Sequence, residues 1–407
     1  RDAVEQLRFV SRGGADPDQD KGVDGVALEA ALARVEAFET FSTGHRPLLR
    51  IEDLQKRLAP GQQLILLAAG EPGSVAAVVS PNSIRMIDLA DARTLGAAAG
   101  SVRAGLSRQD PMGQKALARR MQTLANLLAE AFDSSDQDTQ ILVLSDSMLE
   151  AIPVEILAGW DPAGPGVRRS IARWGIAAGG DWFAKLAGAA AREHPLVLIY
   201  DATGGPVGGA RAGLPNAALE VADIAGLANA PPALKLEGVS AAAWLADARP
   251  RRVGVIHVAA HAVNHPLISS QSVLALAGDD PAAEVSLGTL RPAALGADLA
   301  VLSGCSTGIS AQGDYRQGFA EAFIGAGAER VMATLWPVDD AASAAFMTEF
   351  YRFLWDPEVS TPEDALAQTK RLFATSGQWR DPYWWAGYQL WRGSLGAELS
   401  GQLAQQR

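Results

Sequence analysis

The sequence has very little cysteine, since Cys305 is the only one among 407 residues. A single thiol excludes an internal disulfide framework and any zinc site built from several thiolates. Long apolar runs are also missing, because no stretch approaches the roughly 18 uninterrupted apolar residues of a membrane span. Basic side chains are in the minority, 35 against 46 acidic ones, which gives a net charge of −11. That balance argues against a broad surface for nucleic acid or for anionic membranes.

The composition that is present favours a folded protein of two domains. Hydrophobic residues make up 48% of the chain, which is enough to bury a core, and 407 residues exceed one typical domain. The first residue is Arg1 rather than Met. We therefore expect a piece of a longer protein, so the lack of a targeting segment in this sequence decides nothing. One free thiol and no membrane anchor are typical of a cytoplasmic protein.

Helical spacing and short β-type runs dominate the first half of the chain. Three apolar runs separated by turn residues, at 64–70, 75–81 and 83–89, predict a small antiparallel meander. Residues 141–146, ILVLSD, predict a buried strand. Apolar spacing predicts helices at 1–10, 26–41, 51–58 and 115–132.

From about residue 195 the apolar runs become continuous and alternate with helical stretches. This pattern is typical of a parallel sheet that is covered on both faces. The strands are predicted at 195–201, 253–260, 299–304 and 330–336. The helices are predicted at 216–228, 240–248, 317–328, 341–354 and 362–374. For the aromatic run 381–391, packing in a core or at an edge is favoured over ligand stacking.

Two polar residues follow neighbouring strands of this predicted sheet. His261 comes directly after VGVIHVAA, and Cys305 comes directly after LAVLSG. Ligands of open α/β sheets bind at the carboxyl ends of the strands, so both side chains are expected on one rim. A thiolate nucleophile needs a nearby base, and Gly304 would let another backbone approach closely. The amides of a tight turn there could hold an oxyanion.

Two other interpretations of these residues stay open at this point. A single cysteine is often only a small buried hydrophobe. His257, His261 and His265, spaced by four residues, could also form a metal site with Cys305. Against a metal, His257 lies inside an apolar run, where a core role is favoured, and HVAAH lacks the glutamate of a metalloprotease helix.

Nucleotide binding lacks its sequence signature. GGPVGGARAG, at 204–213, follows a strand as a phosphate loop would, but it has neither G-x-G-x-x-G nor a G-K-[ST] ending.

Several short motifs, taken in order, resemble the CHAT family of caspase-like cysteine peptidases, which are related to separase. The family has His-Gly after one strand, Ser-Ala-Cys-x-Thr after the next, then Leu-Trp-x-Val-x-Asp and a terminal Pro-Tyr-x-Trp-Ala segment. The likeness extends over about residues 51 to 393. The matching stretches are SDSMLEAIPVEIL (145–157), LPNAALEVADIA (214–225), HVAAH (257–261), LSGCSTG (302–308), ATLWPVDD (333–340) and DPYWWAGYQL (381–390).

The resemblance implies a fold and a division of the chain. The fold is a three-layer α/β/α arrangement with a mostly parallel sheet. It is preceded by a catalytically empty caspase-like half and an N-terminal helical segment. The implied parts are a helical segment or linker at 1–50, a pseudo-caspase-like half at 51–190, an active caspase-like half at 191–393 and a tail at 394–407.

The resemblance also implies roles for individual residues, with no metal and no cofactor. Cys305 is the nucleophile and His261 is the general base and acid. The oxyanion hole is formed by the amides of Cys305 and Ala262, beside Gly304. Trp336 and Asp340 are candidates for substrate binding, although Asp340 could instead be structural.

This sequence departs from the family pattern at three places. Ala262 replaces the usual glycine after the histidine. Gly304 replaces the usual alanine, which we expect to be a mild change. Separase-like relatives place an acid beyond the tryptophan motif to bind an arginine of the substrate, and residues 341–345 offer none. We therefore assign no preference for basic residues.

Two functions follow from the resemblance. The first is a bacterial-type cysteine endopeptidase that cleaves a protein partner through a thioester acyl-enzyme. The second, suggested by Ala262, is an inactive scaffold that binds partners through the same groove. An upstream tetratricopeptide region or a regulatory partner is expected in either case, and direct nucleic-acid or membrane binding is not.

Overall fold

The computed structural model describes residues 51–106, 114–133, 139–145, 147–157, 170–174, 193–201, 214–247, 249–265, 269–277, 280–291, 293–304, 307–308, 318–359, 361–375 and 377–393. The predicted helices at 1–10 and 26–41, the glycine-rich stretch 204–213, Cys305 and the tail 394–407 lie outside these ranges.

Eleven α-helices lie within the described ranges. They are α1 (Ile51–Arg57), α2 (Ala92–Leu106), α3 (Gln114–Phe132), α4 (Ser147–Glu150), α5 (Val154–Leu157), α6 (Pro215–Gly226), α7 (Gly238–Ala246), α8 (Leu287–Leu290), α9 (Phe319–Ala326), α10 (Asp340–Leu354) and α11 (Pro362–Thr375). Short 3₁₀ turns occur at Ser269–Gln271, Pro281–Ala283 and Pro382–Trp384.

The same ranges contain fourteen strands. They are β1 (Gln62–Ala68), β2 (Ser74–Ser80), β3 (Ser83–Leu89), β4 (Gln140–Ser145), β5 (Ile171–Trp174), β6 (His194–Tyr200), β7 (Ala233–Glu237), β8 (Arg251–Ala259), β9 (His261–Val263), β10 (Val273–Ala275), β11 (Glu284–Ser286), β12 (Leu295–Leu302), β13 (Arg330–Thr334) and β14 (Tyr388–Arg392).

Eleven of these strands form one sheet, in the order β3-β2-β1-β4-β5-β14-β13-β12-β8-β6-β7. The predicted meander is confirmed, because β1, β2 and β3 pair antiparallel. The predicted parallel sheet is confirmed as well, because β6, β8, β12 and β13 pair parallel with one another in sheet order. Every residue of β12 is buried, as expected for a strand covered on both faces.

Both predicted halves contribute strands to this sheet. They meet where β5 pairs in parallel with β14, and β14 pairs antiparallel with β13. The remaining strands, β9, β10 and β11, form a separate three-stranded antiparallel sheet that begins directly after β8.

Local sequence chemistry sets the ends of the helices that flank the parallel strands. Asp339 caps α10, because its side chain accepts hydrogen bonds of 3.0 Å from the amides of Ala341 and Ala342. Gly327 ends α9 with a left-handed φ of 118°, which a residue with a Cβ rarely adopts. Helix α10 packs against α6 and α11. Its Phe346 ring stacks on Tyr388 of β14, with ring centroids 4.0 Å apart.

Candidate active site

Two parallel strands, β8 and β12, bring the predicted catalytic segments to one edge of the sheet. Their paired residues keep a constant offset, since 295 − 251 and 302 − 258 both equal 44. The pairing continues past the end of β12, where the Ser303 amide donates a 2.9 Å hydrogen bond to the Val258 carbonyl. The segments that follow the two strands therefore leave the sheet side by side.

Gly304 lies against the backbone that precedes His261. A Cβ atom built on Gly304 would stand 2.4 Å from the Ala260 carbonyl oxygen. The predicted close approach of another backbone is thus confirmed. The expectation that glycine in place of alanine is a mild change is wrong for this structure, because an alanine would force the two segments apart.

His261 and Ala262 open strand β9, just beyond the end of β8. His261 pairs with Ala275 and Ala262 pairs with Leu274, both in β10. His261 is partly exposed, as a proton-transferring side chain would need to be. Ala262 lies in a strand, where extended backbone accepts any residue, so glycine is not required here.

Cys305 and Ser306 lie outside the described residues, but the residues on either side are held firmly. The Thr334 hydroxyl donates a 2.8 Å hydrogen bond to the Gly304 carbonyl. The Thr334 amide donates to the Thr307 hydroxyl oxygen at 3.2 Å. Thr307 and Thr334 are both fully buried. Gly304 and Thr307 are therefore anchored to the same residue at the end of β13.

Ser343 is the polar residue of the 341–345 stretch, where separase-like relatives carry an acid. Its hydroxyl and that of Ser303 share a 2.9 Å hydrogen bond, and Ser343 is buried. This contact ties the first turns of α10 to the end of β12.

The two candidate substrate-binding residues both make internal contacts. The Trp336 indole N–H donates to the Tyr383 carbonyl at 3.0 Å, and the Trp336 ring packs over Gly387. One carboxylate oxygen of Asp340 accepts from the backbone amide of Asn216 at 3.0 Å and from its side-chain amide at 2.8 Å. Trp336 is 4% exposed, so little of its ring is free to contact a substrate. Their role in substrate binding stays a prediction.

The other two histidines of the possible metal set, His257 and His265, lie in different surroundings. His257 is fully buried, as predicted, with Nε2 2.8 Å from a carboxylate oxygen of Glu220 but not aligned for a hydrogen bond. Its Nδ1 lies 3.2 Å from the Tyr351 hydroxyl. Burial, together with the Glu220 carboxylate, raises the pKa of Tyr351 well above its usual value, so this phenol stays protonated.

His265 lies beyond β9, where its backbone amide donates to the Ser272 hydroxyl at 2.9 Å. Across the described ranges, no group of three or more His, Cys, Asp and Glu side chains is placed to hold a metal ion. Within the same residues, no helix has the length and apolar character to cross a membrane.

Sequence reasoning missed the part that Thr334 plays. Thr334 belongs to the quoted ATLW stretch, and Thr307 to LSGCSTG, yet nothing local indicates that they bond to each other. The available signal is the hydroxyl of Thr334, which stands at the carboxyl end of the buried parallel strand β13.

The parallel sheet, its flanking helices and the separate β9–β11 sheet define a caspase-like α/β protein. The sequence matches the CHAT domain family over residues 115–393, and the chain belongs to that family. The resemblance inferred from the short motifs is confirmed.

Two solved structures agree with this chain on the fold. Two crystal structures of the Saccharomyces cerevisiae separase–securin complex match with TM-scores of 0.51 and 0.50, both at 9% sequence identity. They cover 95% and 96% of this chain, which spans 33% of the length of the chain it matches. The complex of the pro- and mature domains of Porphyromonas gingivalis RgpB matches at a TM-score of 0.44 and 10% identity, covering 81% of this chain and 78% of that one. No curated protein sequence matches the chain.

Proposed function

We propose that this protein is a cysteine endopeptidase that cleaves a protein partner with Cys305 and His261. The observation that carries the proposal is the constant register of β8 and β12. Their offset of 44 is also the separation of Cys305 from His261, since 305 − 261 equals 44. Residues that leave neighbouring parallel strands at the same level share one rim of the sheet. The contact of Gly304 with Ala260, one residue before each, supports that pairing.

The proposed reaction uses residues of this chain alone. The Cys305 thiol gives its proton to His261, and the thiolate attacks the scissile carbonyl carbon. The carbonyl π electrons move to oxygen, and the amides of Cys305 and Ala262 stabilise that oxyanion. The C–N bond then breaks as His261 returns the proton to the leaving amine. Water, activated by His261, hydrolyses the thioester and regenerates the thiol.

The environment of the proposed dyad fits a peptidase better than a scaffold. Ala262, the departure that suggested an inactive protein, lies in β9, where a glycine has no conformational advantage. His261 is partly exposed, and the backbone of Gly304 nearby is held by a buried hydroxyl. Catalysis needs rigid support of this kind. We propose that an upstream helical-repeat region or a regulatory partner presents the substrate.

Because the substrate is unidentified, the test uses a whole proteome. The protein is incubated with a native bacterial lysate, and new protein N-termini are quantified by mass spectrometry. We expect a defined set of cuts that Cys305→Ala abolishes and that His261→Ala reduces at least about 100-fold, since general acid–base catalysis typically contributes that much. His265→Ala is the matched control and should leave the cuts unchanged.

The scaffold function predicts a different result. Parent and Cys305→Ala would then give identical N-termini and would capture the same lysate proteins. Cuts that persist in Cys305→Ala would refute the peptidase mechanism.

A further inference from the structure

The carbonyl group of Gly304 has two buried hydroxyls directed at it. The Thr334 hydroxyl donates at 2.8 Å, and the Thr307 hydroxyl lies 3.3 Å from the same oxygen. Thr307 also lies 3.3 Å from the Leu302 carbonyl, so its single proton is shared between two acceptors. Thr334 therefore makes the shorter and less divided of the two bonds to the Gly304 carbonyl.

Thr334 is itself fixed by its backbone. Its amide donates to the Thr307 hydroxyl oxygen at 3.2 Å, and its carbonyl accepts from the Gly308 amide at 2.9 Å. The Thr307 carbonyl accepts from Ala320, in the first turn of α9, at 3.1 Å. The hydroxyl of Thr334 is thus presented by a strand end that two hydrogen bonds of its own backbone connect to Thr307 and Gly308, and a third hydrogen bond connects Thr307 to α9.

The Gly304 carbonyl matters because of the peptide unit to which it belongs. The other end of that unit is the amide of residue 305, which is the oxyanion donor of the proposed mechanism. A peptide unit is planar and almost always trans, so its C=O and N–H bonds point in opposite directions. Fixing the direction of the Gly304 carbonyl therefore fixes the direction of the next N–H.

A second contact restricts the same peptide unit from another side. The Gly304 Cα faces the Ala260 carbonyl so closely that a Cβ would stand 2.4 Å from it. The peptide unit is consequently packed against backbone at its Cα and held at its oxygen by Thr334. Oxyanion stabilisation depends on such fixed donors, because they need no reorganisation during the reaction.

We propose that Thr334 is a positioning residue for the oxyanion hole, acting through its hydrogen bond to the Gly304 carbonyl. The inference rests on the proposed function, since it assigns a role in the acyl-transfer step of the same site. This role concerns only one of two properties of the enzyme. Thr334 contributes to stabilising the oxyanion, whereas His261 controls the nucleophilicity of the thiol.

Two reagents can measure these properties separately on the one thiol of the chain. Iodoacetamide alkylates a thiolate by direct displacement of iodide, and no oxyanion forms. With p-nitrophenyl acetate the thiolate attacks the ester carbonyl, an oxyanion forms, and nitrophenolate leaves as the thioester is made. Because Cys305 is the only cysteine, the mass of the intact protein reports both additions at sulfur. Cys305→Ala gives the background at other groups.

Thr334→Val removes the hydroxyl while keeping the shape of the side chain and the backbone bonds of a buried strand. We expect its acylation rate to fall about tenfold or more, because an ill-directed oxyanion donor costs up to about 10²-fold or 10³-fold. We expect its alkylation rate to stay within about twofold of the parent, since displacement of iodide uses no oxyanion hole. Thr334→Ser, which keeps the hydroxyl, should restore most of the acylation rate.

A matched control comes from another buried threonine. Thr369, in α11, donates to the Ala365 carbonyl at 2.7 Å and is fully buried, so Thr369→Val removes a comparable hydroxyl away from the site. It should change neither rate by more than about twofold, since a lost hydrogen bond of this kind costs stability alone. Thermal melts of all variants confirm that the compared proteins are folded.

The outcomes separate this inference from the proposed function. Equal losses of acylation and alkylation in Thr334→Val, or no loss in either, would overturn the positioning role while the parent's reactivity still supports the peptidase. A parent thiol that reacts with the ester no faster than a free cysteine peptide would overturn both. If Thr334→Val does not fold, the result for Thr334→Ser decides. A ratio of acylation rate to alkylation rate equal to that of the parent supports the positioning role, and an altered ratio contradicts it.

Discussion

At the scale of the residue, Gly304 determines how closely the segments that follow β8 and β12 approach. Its Cα faces the Ala260 carbonyl oxygen, a backbone atom that cannot rotate away as a side chain could. Gly308, on the other side of the cysteine, is in a similar position, because a Cβ there would stand 2.4 Å from the Trp391 ring. Glycine at 304 and at 308 thus lets buried backbone and an aromatic ring approach the chain closely at both positions.

The first prediction at this scale is that Gly304→Ala separates the segments. We expect a loss of about 1–3 kcal/mol in the free energy of unfolding, because overpacking a rigid site costs that much. Slower alkylation of Cys305 should accompany it. Gly100→Ala is the control. Gly100 is exposed in α2 with nothing near its Cβ, and alanine there should add about 0.5–1 kcal/mol. Urea titrations that find Gly304→Ala as stable as the parent would contradict this view.

At the scale of the element, a buried ion pair joins the two halves beside the β5–β14 pairing. Lys370 of α11 lies 2.5 Å from one Glu155 oxygen in α5, and Gln389 of β14 donates to the other oxygen at 3.0 Å. Burial lowers the pKa of Lys370, which Glu155 opposes and Arg173 reinforces. Charges with this little exposure depend on each other, since either one alone would be a buried, uncompensated ion.

A double-mutant cycle tests this dependence. Lys370→Met leaves the buried Glu155 without its ion-pair partner, and should cost about 3–5 kcal/mol of unfolding free energy. Combining it with Glu155→Gln removes the orphaned charge, so we expect the double variant to be more stable than Lys370→Met alone. The coupling energy should exceed about 1 kcal/mol, as for residues in direct contact. Simple additivity in urea denaturation would show that the pair does not connect the halves.

The sequence predicted strands whose own residues favour a buried β-strand. It missed strands that depend on pairing with neighbouring strands. Strands β6, β8, β12 and β13 each contain a mostly apolar run that predicts a buried strand. β9, β10 and β11 have three residues each, too short for a period to show. For β14 the sequence predicts aromatic packing, whereas the structure has a strand that pairs with β13 and β5 on either side. In the site, strand-end placement predicted His261, whereas the Thr334 bond spans 30 residues and is visible only in three dimensions.

At the scale of the whole molecule, one buried carboxylate forms ion pairs with arginines of two adjacent central strands, β13 and β14. Glu363 of α11 lies 3.0 Å from Arg330 of β13 and 3.5 Å from Arg392 of β14. Arg392 also donates to Gln140 of β4, in the first half, at 3.2 Å. Burial alone would raise the pKa of Glu363, but Arg330 and Arg392 outweigh it and hold the pKa below its usual 4.5.

This arrangement predicts acid sensitivity of the fold. Because the folded pKa is depressed, the ionised Glu363 adds stability above about pH 4.5, and this stability is lost as pH falls through the folded value. We expect Glu363→Gln to be less stable at pH 7 and to lose less stability between pH 5 and pH 3 than the parent, in urea titrations at each pH. The exposed Glu358→Gln should change stability at pH 7 by less than about 0.5 kcal/mol. Parallel acid profiles for parent and Glu363→Gln would contradict the assignment.

The position of β14 also has a consequence for biosynthesis. Of the fourteen strands it is the last to leave the ribosome, yet it occupies the middle of the sheet, between β5 and β13. Until residues 388–392 emerge, the nascent chain presents two open strand edges, which are prone to pairing with other chains. Union of the two halves must therefore follow the synthesis of β14, and premature termination before Tyr388 would leave both edges uncovered.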